Sequence, residues 1–298
     1  WMLTGNTKVG KRSFLGNSGI AGPDRTLKKN SLVAVLSSTP EKTKSGSNWL
    51  GSPPERLRRV AVEAGGESRT YNPGFGLKVA RGIVETLRLL APMTSAVIAA
   101  TVVLALQWVL VNQGIWQTFA VSGLVLVGAG FVAAAVTVLM KWLCVQRIKA
   151  GDHQLWSAFV WLNELQDQFV ETVAGPWFLA HTMGTGSLNM FLRALGAQIG
   201  RGAWLDSYWL PEADLVSIGR GASVGPGCVV QTHLFQDRVM SLDTVTLGDG
   251  ATMGPHSVAL PAAAIEKAAT VGPASLVMRG DHVPAATRWQ GNPIEIVD

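Results

Sequence analysis

Five histidines and two cysteines are the side chains of this 298-residue chain best suited to proton transfer, nucleophilic attack or metal binding. Their spacing removes most of those chemistries. Cys144 and Cys228 make neither a disulfide framework nor a metal pair, as in a reducing compartment, and no two histidines have metal-ligand spacing, so no metal is expected. His256 follows Gly254-Pro255 and reads as a solvent-facing turn residue or the wall of a cleft; His282 lies near the end of the chain, and His153 and His181 in an aromatic-rich segment. His233 differs, because it sits at the base of a break in an internal repeat, with Asp237 four residues on and Arg238 beside it. An imidazole titrating near 6.5 can take a proton at neutral pH. Asp237 could orient that ring or attract a cation, whereas the blander reading makes His233 a cap on a surface loop.

The repeat that places His233 has a period of six. Every sixth residue from Leu247 is Leu247, Met253, Ala259, Ile265, Val271 and Val277; Ile218, Val224 and Val230 make a second run, and Leu3, Val9, Leu15, Ala21, Leu27 and Val33 a third. All fifteen are apolar in a chain that is 48% hydrophobic. Glycine follows at positions 10, 16, 22, 219, 225, 248, 254 and 272, where a tight corner tolerates positive φ. A period of six fits a β-solenoid, in which each short strand points one aliphatic side chain inward and then turns. Between Val230 and Leu247 the gap of 17 is not a multiple of six, so a loop must be extruded there. None of the glycines is followed by the Lys-Ser/Thr of a phosphate loop.

The elements around the ladder divide by charge. The net +5 is +9 over 1–92, zero over 93–140 and −4 over 141–298. Between Arg88 and Lys141 no Asp, Glu, Lys or Arg occurs, and two apolar runs, 93–111 and 118–140, each suffice to cross about 30 Å of hydrocarbon. A transmembrane hairpin over 73–147 is expected, with Trp108 and Trp116 near one interface. Arg81 and Arg88 precede it and Lys141, Arg147 and Lys149 follow it, which puts both flanks in the cytoplasm. Gly123, Gly128, Gly130 and Ala129 with Ala133 to Ala135 offer small faces for helix packing. Phe75, Leu77, Ile83, Val84, Leu87 and Leu90 before the hairpin, and Leu155, Trp156, Phe159, Val160, Leu162 and Trp177 after it, suit helices lying in the headgroup plane or packing on a soluble domain. Residues 148–196 form that second interfacial segment. Residues 41–72, rich in Ser, Gly and Pro with Arg56, Arg58 and Arg59, read as a flexible linker whose bases rest on anionic lipid. The basic excess has no helix-turn-helix or aromatic platform beside it, so nucleic acid is not an expected partner.

The stretch Val271-Gly-Pro-Ala-Ser-Leu-Val-Met-Arg-Gly-Asp-His-Val-Pro284, followed by Gly291-Asn-Pro293, resembles the final coil and closing segment of the hexapeptide-repeat acyltransferases. The resemblance covers residues 195–297 and, less completely, 3–40, and implies a mainly β fold, the left-handed parallel β-helix, over 197–298, with the end of an upstream β-helix at 1–40. The order β-helix, linker, apolar hairpin, β-helix resembles the carboxy-terminal half of the ε-poly-L-lysine synthetase-like family of membrane nonribosomal peptide synthetases. Val9-Gly-Lys-Arg-Ser-Phe-Leu-Gly-Asn-Ser-Gly19, Gly200-Arg-Gly-Ala-Trp-Leu-Asp206 and Gln231-Thr-His-Leu-Phe-Gln-Asp-Arg-Val-Met240 carry that likeness.

These resemblances imply a bacterial cytoplasmic membrane protein with its β-helices in the cytoplasm, partnered by lipid, by upstream adenylation and carrier domains and by other β-helices in threefold or pseudo-threefold packing. They imply acyl or aminoacyl transfer, with His233 as general base, Asp237 as its helper and backbone N–H groups as oxyanion donors. An acceptor amine with pKa near 10.4 must lose a proton to attack a thioester. The donor would be a phosphopantetheine-bound thioester or a coenzyme A thioester, lying along Ala274 and Ser275 and near Arg288, Gly291, Asn292 and Pro293. The alternatives are a coenzyme A-dependent O- or N-acetyltransferase and a non-catalytic β-helical scaffold.

Overall fold

The structure, a computed structural model, describes residues 4–16, 18–58 and 66–297. Leu3 of the ladder and Arg59 of the basic segment lie outside the described residues. Short strands recur at the period of the ladder, and most pair in parallel with the strand three hexads further on, as in Thr246↔Ala264 and Ala264↔His282. Successive strands pass to three different sheets and then return to the first, so the chain winds as a parallel β-helix with three faces and one hexad per face. The ladder residues Ile218, Val224, Val230, Leu247, Met253, Ala259, Ile265, Val271, Val277 and Val283 are each at most 2% exposed and form one core.

The corners differ from the sequence expectation. Left-handed φ occurs at Gly250, His256, Ala262, Ala268, Ala274, Gly280 and Ala286, again at every sixth position but three places after the ladder residue. The glycines that directly follow ladder residues have ordinary φ. Most of them, though not Gly22, answer a different need: a Cβ at Gly248 would stand 2.6 Å from Lys267 N, and one at Gly10 would stand 2.5 Å from Lys29 N. Stacked coils approach so closely there that no side chain fits.

Residues 41–58 are likewise not a flexible linker. Asn48–Leu50 adds to the first β-helix in parallel, and Glu55–Arg56 returns antiparallel with Trp49 opposite Arg56. The second β-helix closes in the same way, with Trp289 opposite Ile296. Each closure is pinned by a buried serine hydroxyl that accepts from a glycine amide, Ser37 from Gly51 N at 2.8 Å and Ser275 from Gly291 N at 3.1 Å. The Arg56 guanidinium stacks 5.7 Å over the Trp49 ring. The two β-helices lie against each other through Val35, Leu36 and Leu50 on one and Val258, Leu260 and Leu276 on the other, with Asn292 donating to Leu36 O at 2.8 Å.

Between them lie helices α1 (Phe75–Leu87), α2 (Leu90–Gln113) and α3 (Ile115–Cys144). The apolar helices exceed the expected runs at both ends, and they turn on Gly114 alone, at φ 94. Both are long and apolar enough to cross a membrane, and most of their surface is exposed. Helices α4 (Ala158–Phe169), α5 (Ala180–Thr182) and α6 (Gly186–Leu195) follow, with the π-helical segment Val170–Leu179 joining α4 to α5.

This segment packs against its neighbours in the chain. Val160, Leu165, Phe169 and Val173 are at most 3% exposed, and Trp177 Nε1 donates to Ser95 Oγ at 2.9 Å. The small face of α3 serves that layer: Ala133 is fully buried, and a Cβ on Gly130 would meet Trp177 O at 2.6 Å. Gly123 and Gly128 face open space. Helix α1 keeps an outward apolar stripe, Phe75, Val79 and Ile83.

Candidate functional site

The break in the ladder between Val230 and Leu247 is a β-hairpin, His233–Gln236 against Val239–Leu242. Its turn is Asp237-Arg238, both at positive φ, the geometry that matches strand twist in tight hairpins. The strand Gly151–Gln154, arriving from α3, pairs with the far edge and makes a three-stranded sheet. His233 therefore stands on a strand anchored from two directions, where the hairpin leaves the coil. Gln231 Nε2 donates to His233 O at 3.0 Å, and the ring packs edge-on to Phe235.

Asp237 does not orient His233: the turn puts it at the opposite end of the hairpin strand. The carboxylate on the imidazole is Glu212, whose oxygens lie 2.8 and 2.9 Å from Nδ1. Glu212 is held on every side. Asn163 Nδ2 donates to Oε1 at 2.7 Å, and the Thr232 hydroxyl lies 2.5 Å from Oε2. The side chain of Glu212 is fully buried, and its backbone is left-handed at φ 42, ψ 60. A non-glycine residue held there costs on the order of 1–2 kcal/mol, which the surrounding bonds must offset.

That conformation arises because residues 206–213 form a loop where the third face of the coil would have a strand. Ser207 Oγ donates to Cys228 O at 2.6 Å, and Val230 N donates to Trp209 O at 3.0 Å, which seats the loop on the next coil. Just beyond Glu212, Asp214 forms a buried ion pair with Lys141 of α3 at 2.8 Å and accepts from Ile148 N. One loop thus joins the apolar helices to the histidine.

His233 and Glu212 border a cavity of about 590 Å³. Asp167 and Glu171 of the α4 and π-helical layer, Tyr208, Trp209 and Gln231 line it too, and Ser18 of the first β-helix reaches its edge. Among the described residues the Asp167 carbonyl accepts from Val170 N, and its side chain makes no hydrogen bond or ion pair. Burial, then the Glu212 carboxylate, pushes its pKa up to about 8, with His233 pulling the other way. For His233 burial opposes the charged ring, but Glu212, through charge and hydrogen bond, and Asp167 outweigh it and hold the pKa above the ordinary value. Among the described residues no cluster of three metal-ligating side chains occurs.

An imidazole whose Nδ1–H points at a carboxylate has its Nε2 lone pair free, which is the arrangement of a general base. Glu212 and Asp167 carry no signal in sequence, since they lie on a loop and a helix outside the repeat and far from His233 along the chain. The expected donor residues lie in and after the closing coil of the second β-helix. Ser275 is fully buried in the closing coil, Ala274 is a corner, Gly291 N donates to the Ser275 hydroxyl, and Asn292 faces the first β-helix across a cis bond to Pro293. Arg288 is exposed on the last parallel strand.

The chain is 34% identical over 297 residues to Delta-poly-L-ornithine synthetase of Acinetobacter baumannii (strain AB307-0294). It is related in sequence to a poly-amino-acid synthetase. The match takes in 98% of this chain but spans only 22% of that enzyme. No protein-family model matches. Solved structures with local likeness include galactoside acetyltransferase in complex with coenzyme A, at 16% identity, 37% of this chain, 68% of that chain and TM-score 0.32. Another is Neisseria gonorrhoeae serine acetyltransferase in complex with serine, at 16% identity, 76% of this chain, 84% of that chain and TM-score 0.33. Scores this low leave the strand pairing itself as the basis of the fold.

Proposed function

We propose that this chain is a membrane-anchored acyl or aminoacyl transferase module of a nonribosomal peptide synthetase-like protein, joining a thioester-bound aminoacyl group to an amine. The observation that carries it is the His233–Glu212 pair lining a cavity of about 590 Å³. The amine nitrogen attacks the thioester carbonyl while His233 Nε2 removes its proton. The C–S bond then breaks, and the leaving thiolate recovers the proton from the imidazolium. Glu212 holds the tautomer and stabilises the transient cation. Backbone N–H groups serve as oxyanion donors.

The donor is a phosphopantetheine arm on a carrier, with a coenzyme A thioester as the alternative, and upstream adenylation and carrier domains supply it. The relative's name, a synthetase of poly-L-ornithine, supports an amine acceptor. Helices α2 and α3 span the bacterial cytoplasmic membrane, with both left-handed β-helices on the cytoplasmic face, where basic flanks remain. In the intact protein, His233→Ala should remain in the membrane fraction and lose amide formation from a carrier-loaded thioester by at least about 10²-fold. Equal loss with acetyl-coenzyme A as the preferred wild-type donor would instead favour the acetyltransferase, and full activity of the variant would leave a scaffold.

A further inference from the structure

A third charge-free stretch follows the apolar hairpin. Between Glu171 and Arg193 there is no Asp, Glu, Lys or Arg, yet Gly175-Pro176, Gly184 and Gly186 interrupt it, so it makes no single spanning helix. Its contacts fix how far it travels along the hairpin. It sets out beside the last charge before α2, where Arg88 Nη2 donates to Gln168 Oε1 at 3.1 Å. At its far end Trp177 Nε1 donates to Ser95 Oγ of α2 at 2.9 Å, and a Cβ on Gly130 of α3 would meet Trp177 O at 2.6 Å. The Phe131 and Phe178 rings lie 5.5 Å apart at the same level. The chain returns in α6, where Trp142, next to Lys141, donates from Nε1 to Ala194 O at 2.9 Å. Both ends of the excursion therefore sit at the first charges flanking the hairpin. Its tip lies at Gly130, eleven residues inside Lys141, or about 16 Å at the helical rise. That is well short of the about 30 Å of a hydrocarbon core.

The surface of the excursion suits the same level. Backbone that departs from α-geometry is tolerated at membrane depth only where protein covers it. Val173, Ala174, Gly175, Phe178 and Leu179 of the π-helical segment are buried in this way. Pro176, Ala180, Met183 and Met190 face outward, with His181 as the one titratable side chain of the stretch. We infer that Val170–Leu179 with α5 and α6 is a re-entrant wedge, entering a lipid bilayer from the side of the basic flanks, turning at Pro176-Trp177 among the acyl chains and leaving at Arg193. This rests on the reading of α2 and α3 as membrane-spanning, and it adds a third insertion that does not span. The base of the wedge, Val170, Glu171 and Leu195, lines the cavity together with Lys141, so the cavity lies at the headgroup plane.

The test uses the intact protein in phosphatidylethanolamine–phosphatidylglycerol vesicles, with a nitroxide label on single cysteines in a Cys144→Ala, Cys228→Ala background. Pro176→Cys and Ala180→Cys report on the wedge. Leu124→Cys, at a site 74% exposed on α3, is the lipid control, and Arg220→Cys, where the side chain is 77% exposed on the β-helix, the aqueous one. Oxygen concentrates in acyl chains and a nickel chelate in water, so the ratio of their collision rates with the label reads depth. The ratio at 176 and 180 should match that at 124 and exceed that at 220 by at least about threefold, as for sites within the hydrocarbon. The label at 180 decides where loss of Pro176 disturbs the bend. Ratios at 176 and 180 equal to that at 220, with 124 still in lipid, overturn the wedge and leave the spanning hairpin standing. Aqueous ratios at all four sites overturn the membrane-spanning reading and the wedge together.

Discussion

At the residue scale the account turns on which proton His233 carries. A base must be neutral, and Glu212 and Asp167 favour the imidazolium, so they lift the pKa above the ordinary histidine value despite burial. Activity should therefore fall as pH drops through a midpoint above about 6.5. Glu171 and Lys141 also face the cavity, but Glu212 is the group bonded to the ring nitrogen. Glu212→Gln removes the largest favourable influence on the imidazolium, so the midpoint should move to lower pH while the plateau rate falls on the order of 10²-fold. A pH–rate profile of that variant checks both, and an unmoved midpoint would remove Glu212 from the mechanism. His233 was legible because a ladder of period six makes the break after Val230 conspicuous. Its partner was not, since contact between Glu212 and His233 depends on one coil stacking on the next. The nearest acid in sequence, Asp237, belongs to the turn and is carried away by strand extension.

At the element scale, the β-helix separates two uses of glycine that look alike in sequence. Gly248 lies against the next coil, where a Cβ would meet Lys267 N at 2.6 Å, whereas Gly250 occupies a left-handed corner with open space around it. Gly248→Ala should lower stability by about 2 kcal/mol or more, the scale of overpacking against backbone. Gly250→Ala should cost only about 1 kcal/mol, as alanines already occupy the corners at 262, 268, 274 and 286. Thermal unfolding of the two variants orders them, and equal losses would contradict the close-approach explanation.

The ion pair between Lys141 and Asp214 ties α3 to the loop that carries Glu212. Lys141→Met leaves Asp214 buried without its cation and should destabilise by about 3–5 kcal/mol, while adding Asp214→Asn should restore much of the loss. A double-mutant cycle on thermal stability measures that coupling. The closure of the first β-helix was also readable: Trp49, Gly51 and Pro53 repeat the spacing of Trp289, Gly291 and Pro293. Composition hid it, because Ser, Gly and Pro serve equally in linkers and in closing loops.

At the scale of the whole molecule, two β-helices and an apolar hairpin are brought together by the helical layer over 158–195. Hydropathy located the hairpin because absence of charge is a property of composition alone. It could not tell that the amphipathic segment after the hairpin would bury its aromatic residues against α1, α3 and the β-helix, since the same pattern suits a lipid headgroup plane. The layer's position is what makes the site: it contributes Asn163, Asp167 and Glu171, while the second β-helix contributes Glu212 and His233 and the first reaches the rim. The central claim is that this junction activates an amine for attack on a thioester. The most direct measurement is single-turnover amide formation by the intact protein loaded with its carrier thioester, wild type against His233→Ala, with L-ornithine as acceptor. The account predicts an undiminished thioester load and a rate lowered at least about 10²-fold in the variant. A variant that forms amide at the wild-type rate would contradict it.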